Sequence, residues 1–304
     1  MIRLDAATVL LQWAVGGLLF LWVTTRSREV GIGYGWLLRG LYLLMAAGAA
    51  AVGLWIDPVP VREASAIAVT IAAGGALAVS IVRRKAGVSG EIARKARRAE
   101  RVRAMTGAPS SEPVDPSDPS DRSAPVDELD RVGAAPSRGP EFPPSLDLIA
   151  PSIGLLGLVA AGIAAGDPAP LSVARVVIGA LFLGAVSDAM LLGHWYLVQP
   201  GLARRPLLEL VRWTGWVWPA EILVLLWPVG MASVWTGSVD DGWGGTLGWF
   251  WVACALTTLG LVFVTRAALR ERYYSAVMAA TGLLYLAILT AFGTDLVARA
   301  VLAS

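Results

Sequence analysis

The stretch Ala6-Ala7-Thr8-Val9-Leu10-Leu11-Gln12-Trp13-Ala14-Val15-Gly16-Gly17-Leu18-Leu19-Phe20-Leu21-Trp22-Val23-Thr24 decides what kind of protein this is. It holds no charged side chain and no alternation of polar and apolar residues. Its length matches a hydrocarbon core about 30 Å thick, which takes about 20 residues of helix to cross. Inside such a core no water satisfies a bare backbone N–H or C=O, so the segment must be a helix or part of a closed barrel. A continuous apolar run without dyad alternation selects the helix. The run is longer than the apolar part of a cleaved export signal, and only Arg3 and Asp5 precede it as charges, so it reads as a first span rather than a leader.

Working outward, the same pattern recurs along all 304 residues, 56% of which are hydrophobic and 16% charged, where a soluble domain would be about a quarter charged. Eight spans follow: Ala6–Thr24, Tyr34–Trp55, Ala64–Val82, Leu146–Gly166, Leu171–Val198, Trp213–Trp235, Thr246–Thr265 and Tyr274–Val301. The fold class expected is therefore all-α, a polytopic transmembrane helix bundle. The third span is rich in Ala and Gly, and the sixth is interrupted by Pro219 and Pro228, which predicts a kink.

Charge placement orients the bundle. The odd connections carry the cations: Arg26 and Arg28; Arg83, Arg84, Lys85 and the arginines to Arg103; Arg204 and Arg205; Arg266, Arg270 and Arg272. The even connections hold Asp57, Arg62 and Glu63, then Asp167, then Asp240 and Asp241. Cytoplasmic loops carry the excess of Lys and Arg, so the odd connections are expected inside and both termini outside. Trp22, Trp36, Trp55, Trp195, Trp213, Trp235, Trp243 and Trp249 fall near span ends, as interfacial anchors do.

The chain thus divides into spans at 1–82, a cytoplasmic insert at 83–145, and spans at 146–304. The insert begins with a basic, helix-compatible stretch, Glu91–Met105, suited to an anionic leaflet or to a solvated extension of the third helix. Gly107–Pro144 is rich in Pro, Ser and Asp, with almost no large apolar side chain, and is expected to stay disordered as a tether or docking segment. Arg205–Trp213 reads as a short amphipathic helix on the same face.

Ionisable groups inside spans are costly and mark function by default. The single histidine, His194, lies in the most polar stretch of any span, Ser187–Gln199. At about 100° per residue, Asp188, Trp195 and Gln199 share one helix face, with Ser187, Met190 and His194 on the adjacent one. His194 suits a quinone carbonyl, a haem iron or a proton. With one histidine, haem requires a second ligand such as Met190 or Met231, or a second chain. A structural histidine bonded across helices is the plainer role. Asp188 near mid-membrane is either a locked carboxyl or a proton or cation site. Arg39 can snorkel or pair with Glu221, which follows Pro219. Counted from the expected span ends, Arg39, His194 and Glu221 lie roughly 6–12 Å inside the cytoplasmic boundary. The resulting expectation is one polar pocket opening inward, lined by His194, Asp188, Glu221, Arg39, Tyr196 and Gln199. Asp295 and Arg299, four apart, read as a helix-surface pair.

Other chemistry is disfavoured. One cysteine, Cys254, excludes an intramolecular disulfide or a cysteine-held metal cluster within the chain. No phosphate-binding glycine loop, zinc-protease helix or serine elbow is present, and no internal repeat appears. The basic cluster flanks the membrane rather than marking nucleic acid. Three functions follow: a non-catalytic accessory subunit touching a quinone or haem, beside membrane-protein partners, a proton-coupled or small-solute transporter, or a membrane scaffold docking cytoplasmic partners through the insert. The preference for arginine over lysine fits a GC-rich bacterial genome and hence a plasma membrane.

Overall fold

The computed structural model describes residues 4–106 and 140–303 apart from Asp167, Pro200 and Arg272. Of the segment expected to be disordered, Gly107–Pro144, residues 107–139 lie outside the described residues, whereas 140–144 are placed, with Glu141 paired to Arg28 and Phe142 against Arg39. The described chain is helical throughout: α1 Ala6–Thr25, α2 Ile32–Ile56, α3 Pro60–Val82, α4 Ser89–Thr106, α5 Ile149–Ala164, α6 Ala169–Val198, α7 Arg205–Leu226, α8 Ala232–Trp235, α9 Thr246–Arg270 and α10 Tyr274–Leu302. Short 3₁₀ turns at Arg83–Ala86 and Pro144–Leu148 flank the insert.

Local chemistry sets the starts. The Asp5 carboxylate accepts from the amides of Ala7 and Thr8 at 3.1 and 3.2 Å, capping α1. Pro60, Pro170 and Pro206 sit in the first turns of α3, α6 and α7, where a missing N–H costs nothing. Asp241 caps α9 from the preceding loop, accepting from the amides of Trp243, Gly245 and Leu247 at 2.9 Å each.

Seven of these helices are long and apolar enough to cross a membrane. The sixth expected span is different. The amphipathic piece at Arg205 and the span form one helix, α7, which ends at Leu226 just before Pro228. Pro219 stays inside it. With Arg205, Glu209, Arg212 and Glu221 it is not among those seven, yet it runs from one end of the bundle to the other. Near its start, Arg204 donates to the carbonyls of Leu269 and Tyr273, at the α9–α10 turn. At its finish, the carbonyls of Val224 and Trp227 accept from Arg175, near the start of α6.

Burial is inverted relative to a soluble protein. Arg39 and Arg299 head the largest fully buried side chains, while Leu44, Ile71, Leu156, Phe263 and Leu289 are exposed. Water would drive exposed apolar area on this scale into association. Lipid as the solvent removes that cost, and the chain is a multi-pass integral membrane protein. Helices α1 and α6 are the centre: their apolar windows are 67% and 72% buried, against 33–44% for the other spanning helices. They cross at glycine. A Cβ on Gly16 would lie 1.8 Å from the Ala180 carbonyl oxygen, and one on Gly184 would lie 2.2 Å from the Gly16 carbonyl carbon. The backbones touch, as small residues allow where lipid offers no hydrophobic drive.

Candidate functional site

The expected single pocket is not what the fold builds. Its members close on separate partners at three depths. At the arginine-rich end, Arg39 lies seven residues into α2, about 10 Å along the axis. Its Nε and Nη2 each donate to Asp147 at 2.7 Å, and its Nη1 donates to Ser80 at 3.2 Å. The guanidinium lies 4.2 Å from the Phe142 ring centroid. Thr25 donates to the second Asp147 oxygen at 3.0 Å, and Arg28 pairs with Glu141 at 3.0 Å. Arg39 therefore pairs with Asp147, not with Glu221, and it is buried rather than snorkelling. The 3₁₀ turn Pro144–Leu148, immediately after the insert, supplies that partner. A cavity of about 40 Å³ lies here, bordered by Gly31, Gly35, Arg39, Ser80 and Phe142.

At the middle depth stands Asp188, fully buried. One carboxyl oxygen accepts from the Tyr42 hydroxyl, and its backbone carbonyl accepts from Tyr34 at 3.3 Å. The second oxygen, Oδ2, has no hydrogen-bond partner among the described residues. Gly17 makes this possible, since a Cβ there would sit 2.0 Å from the Tyr42 ring.

His194 and Glu221 part company. His194, four residues from the end of α6, is exposed on the outside of the bundle, where Nδ1 and the Tyr285 hydroxyl lie 3.0 Å apart. No enclosure surrounds it. Tyr196 donates to the Ala203 carbonyl, and Gln199 accepts from Trp195 at 3.2 Å, so both brace the α6–α7 turn. Glu221 is fully buried. It lies sixteen residues into α7, about 24 Å from the start, and so near the arginine-poor end. The depth expected from the sequence fails because α7 begins eight residues before Trp213.

Glu221 belongs to a third cluster. Arg299 donates from Nε and Nη2 to Asp295 at 2.7 and 3.1 Å, and both side chains are fully buried. The pair expected on the helix surface is in the core. Asp295, Arg299 and Arg175 stand within electrostatic reach of Glu221. Gln12 donates to the Val176 carbonyl at 2.6 Å. Gly179 leaves the space: a Cβ there would lie 2.9 Å from Asp295 Oδ1 and from Gln12 Nε2. Gln12 Oε1 and Arg299 Nη1 have no hydrogen-bond partner among the described residues, and the Glu221 oxygens accept from no N–H or hydroxyl there, the neighbour within hydrogen-bond reach being the Asp295 carboxyl, which can bond it only when one of the two carries a proton. Native interiors leave few such atoms, so their gathering in one place marks the strongest candidate site. The same set can release or take up a proton, or bind water, but cannot cage a metal: no group of three His, Cys, Asp or Glu side chains is placed to do so among the described residues.

Arg175, Asp147, Tyr42 and Gln12 were not picked out from the sequence. Arg175 did carry a signal, an arginine six residues inside an apolar run. Tyr42 and Gln12 carried none, because a lone tyrosine or glutamine is ordinary in a span. Searches against protein-family models, curated proteins and solved structures find no match to this chain.

Proposed function

We propose that this protein is a proton-translocating transporter of a bacterial plasma membrane, with Glu221 as the carboxyl that carries the proton. One observation carries the reading: Glu221 is completely buried, neither of its oxygens accepts from an N–H or hydroxyl donor among the described residues, its carboxyl stands within hydrogen-bond reach of the Asp295 carboxyl, so that a proton can be held between the two, and cations on α6 and α10 are close by. A carboxyl placed only to lock helices would be expected to use its acceptors. Asp188, with one free oxygen nearer the arginine-rich end, is the second carboxyl on the route. The test is proton flux into proteoliposomes carrying an internal pH dye, under an imposed pH gradient. Wild type exceeds empty liposomes, and Glu221→Gln falls to their level while eluting as a folded species in detergent. Equal flux for wild type and Glu221→Gln overturns the reading.

A second reading, an accessory subunit beside a quinone- or haem-dependent system, is favoured by the His194–Tyr285 pair. A hydrogen-bonded polar pair on the lipid-facing surface suits contact with a membrane partner or a quinone head group. A Soret band or co-purified quinone, lost in His194→Ala, would support it. The role of the 107–139 segment as a docking scaffold is the remaining proposal, tested by deleting it.

A further inference from the structure

Helix α4 leaves the bundle where α3 runs out of apolar residues. The 23 residues of α3 rise about 34 Å, and Arg83, Arg84 and Lys85 follow at once in the 3₁₀ turn. Gly87 then takes a φ of +67°, which favours glycine and ends the run. α4 is thus a separate helix and not a straight extension of α3. Its first turn is fixed to the bundle. A Cβ on Gly90 would lie 2.4 Å from the Arg28 carbonyl oxygen, in the α1–α2 connection. Gly87 and Val88 border the cavity beside Arg39.

Beyond that turn α4 packs along none of the other helices among the described residues. Ile92, Ala96, Arg97, Ala99, Arg101 and Met105 are exposed. Over Ser89–Thr106 six basic residues stand against two acidic ones, a net charge of +4. Ile92, Ala96 and Ala99 recur at helical spacing on one side, with Arg94, Arg97, Arg98 and Arg101 towards the other. The apolar side is mostly methyl-sized and too small to seat the helix deeply in hydrocarbon. Charge therefore decides what it binds.

We propose that α4 lies along the inner leaflet and binds anionic lipid head groups. Their phosphate oxygens accept from guanidinium groups in charge-assisted hydrogen bonds. Three features select lipid over a soluble acidic partner. The Arg83–Lys85 turn delivers α4 at head-group level. The distribution of positive charge assigns this end of the bundle to the cytoplasm, whose leaflet carries the anionic lipid. The helix is tethered at Gly90, so docking on the leaflet forgoes the loss of free translation that capturing a soluble partner involves. The proposal is independent of the role of Glu221.

The test uses the full chain in lipid nanodiscs, with a fluorophore on Ala99→Cys in a Cys254→Ala background. Part of the phosphatidylcholine carries a nitroxide quencher on its head group. Discs of phosphatidylcholine alone are compared with discs that also contain phosphatidylglycerol. Strong quenching is expected in the anionic discs and weak quenching in the neutral ones. It should vanish at about 1 M salt, where the screening length falls to about 3 Å. Each basic residue near an anionic surface multiplies the docked population about fivefold. Changing Arg94, Arg97, Arg98 and Arg101 together to Gln, another good helix former, should lower the docked-to-free ratio about 600-fold and return quenching to the neutral-disc level. Equal quenching in both discs overturns the proposal, since apolar contact or another part of the chain would then cover α4. Absent quenching in anionic discs, or quenching that survives high salt, overturns it as well. These comparisons need no arginine variant, so one that fails to fold leaves the test intact.

Discussion

Removing the Asp147 carboxylate should leave the Arg39 charge stranded in the bundle. Two hydrogen bonds of 2.7 Å join the pair, and both side chains are at most 2% exposed. Hydrogen bonds to a charged group contribute about 1.5–3 kcal/mol each, and stranding one member of a buried ion pair costs about 3–5 kcal/mol. Ser80 and the Phe142 ring remain with Arg39 but supply no negative charge. Asp147→Ala should therefore lose about 3–5 kcal/mol, and Asp147→Asn, which keeps one acceptor, should fall at the lower end. Replacing both members by apolar residues of similar volume, Arg39→Met with Asp147→Leu, removes the charge together with its partner. That variant should recover most of the loss, because two desolvation penalties vanish with the attraction. The assay is equilibrium unfolding in mixed micelles with rising SDS, run on wild type, Asp147→Ala, Asp147→Asn, the single variants Arg39→Met and Asp147→Leu, and the double variant. Either of two results would refute the reasoning: an Asp147→Ala variant within about 0.5 kcal/mol of wild type, the scatter of ordinary surface changes, or a double variant as unstable as the two single losses added together.

Two further outcomes follow from packing and from charge outside the membrane. Gly16→Ala places a methyl group against the Ala180 carbonyl with no flexible side chain to yield, so it should cost about 1–3 kcal/mol in the same SDS assay; a neutral Gly16→Ala would show that α1 and α6 do not touch. Asp241 accepts three backbone N–H bonds, the first from Gly245, which hold its carboxyl below the usual 3.8. A depressed folded value stabilises the ionised loop above that ordinary value, and the contribution is lost as pH falls through the folded value. The thermal stability gap between wild type and Asp241→Asn should thus be constant from neutral pH to about 5 and close under stronger acid; a gap that persists unchanged in strong acid would refute the cap.

The membrane solvent, the helical class and the crossing pattern were legible in residues such as Ala6–Thr24, because crossing a bilayer depends on one segment at a time. The cost of burying its backbone and side chains in hydrocarbon is summed along that segment alone. Seven of the eight expected crossings meet a helix long and apolar enough to span, because each follows from that sum. The start of α7 was not legible: a short amphipathic surface helix at Arg205–Trp213 and the start of a spanning helix have the same local chemistry, and packing against α6 and α9 joins them. That join carried Glu221 from one end of the bundle to the other. The partners of the buried charges were likewise beyond the sequence. Whether Arg39 meets Asp147 or Glu221, and whether Asp295 and Arg299 face lipid or the core, depends on how each helix is rotated about its axis and slid against its neighbours. Those rotations are set by contacts such as Gly16 on Gly184 and Gly17 on Tyr42, which exist only once the helices are assembled. A glycine in a span carries no label saying which backbone will fill its place.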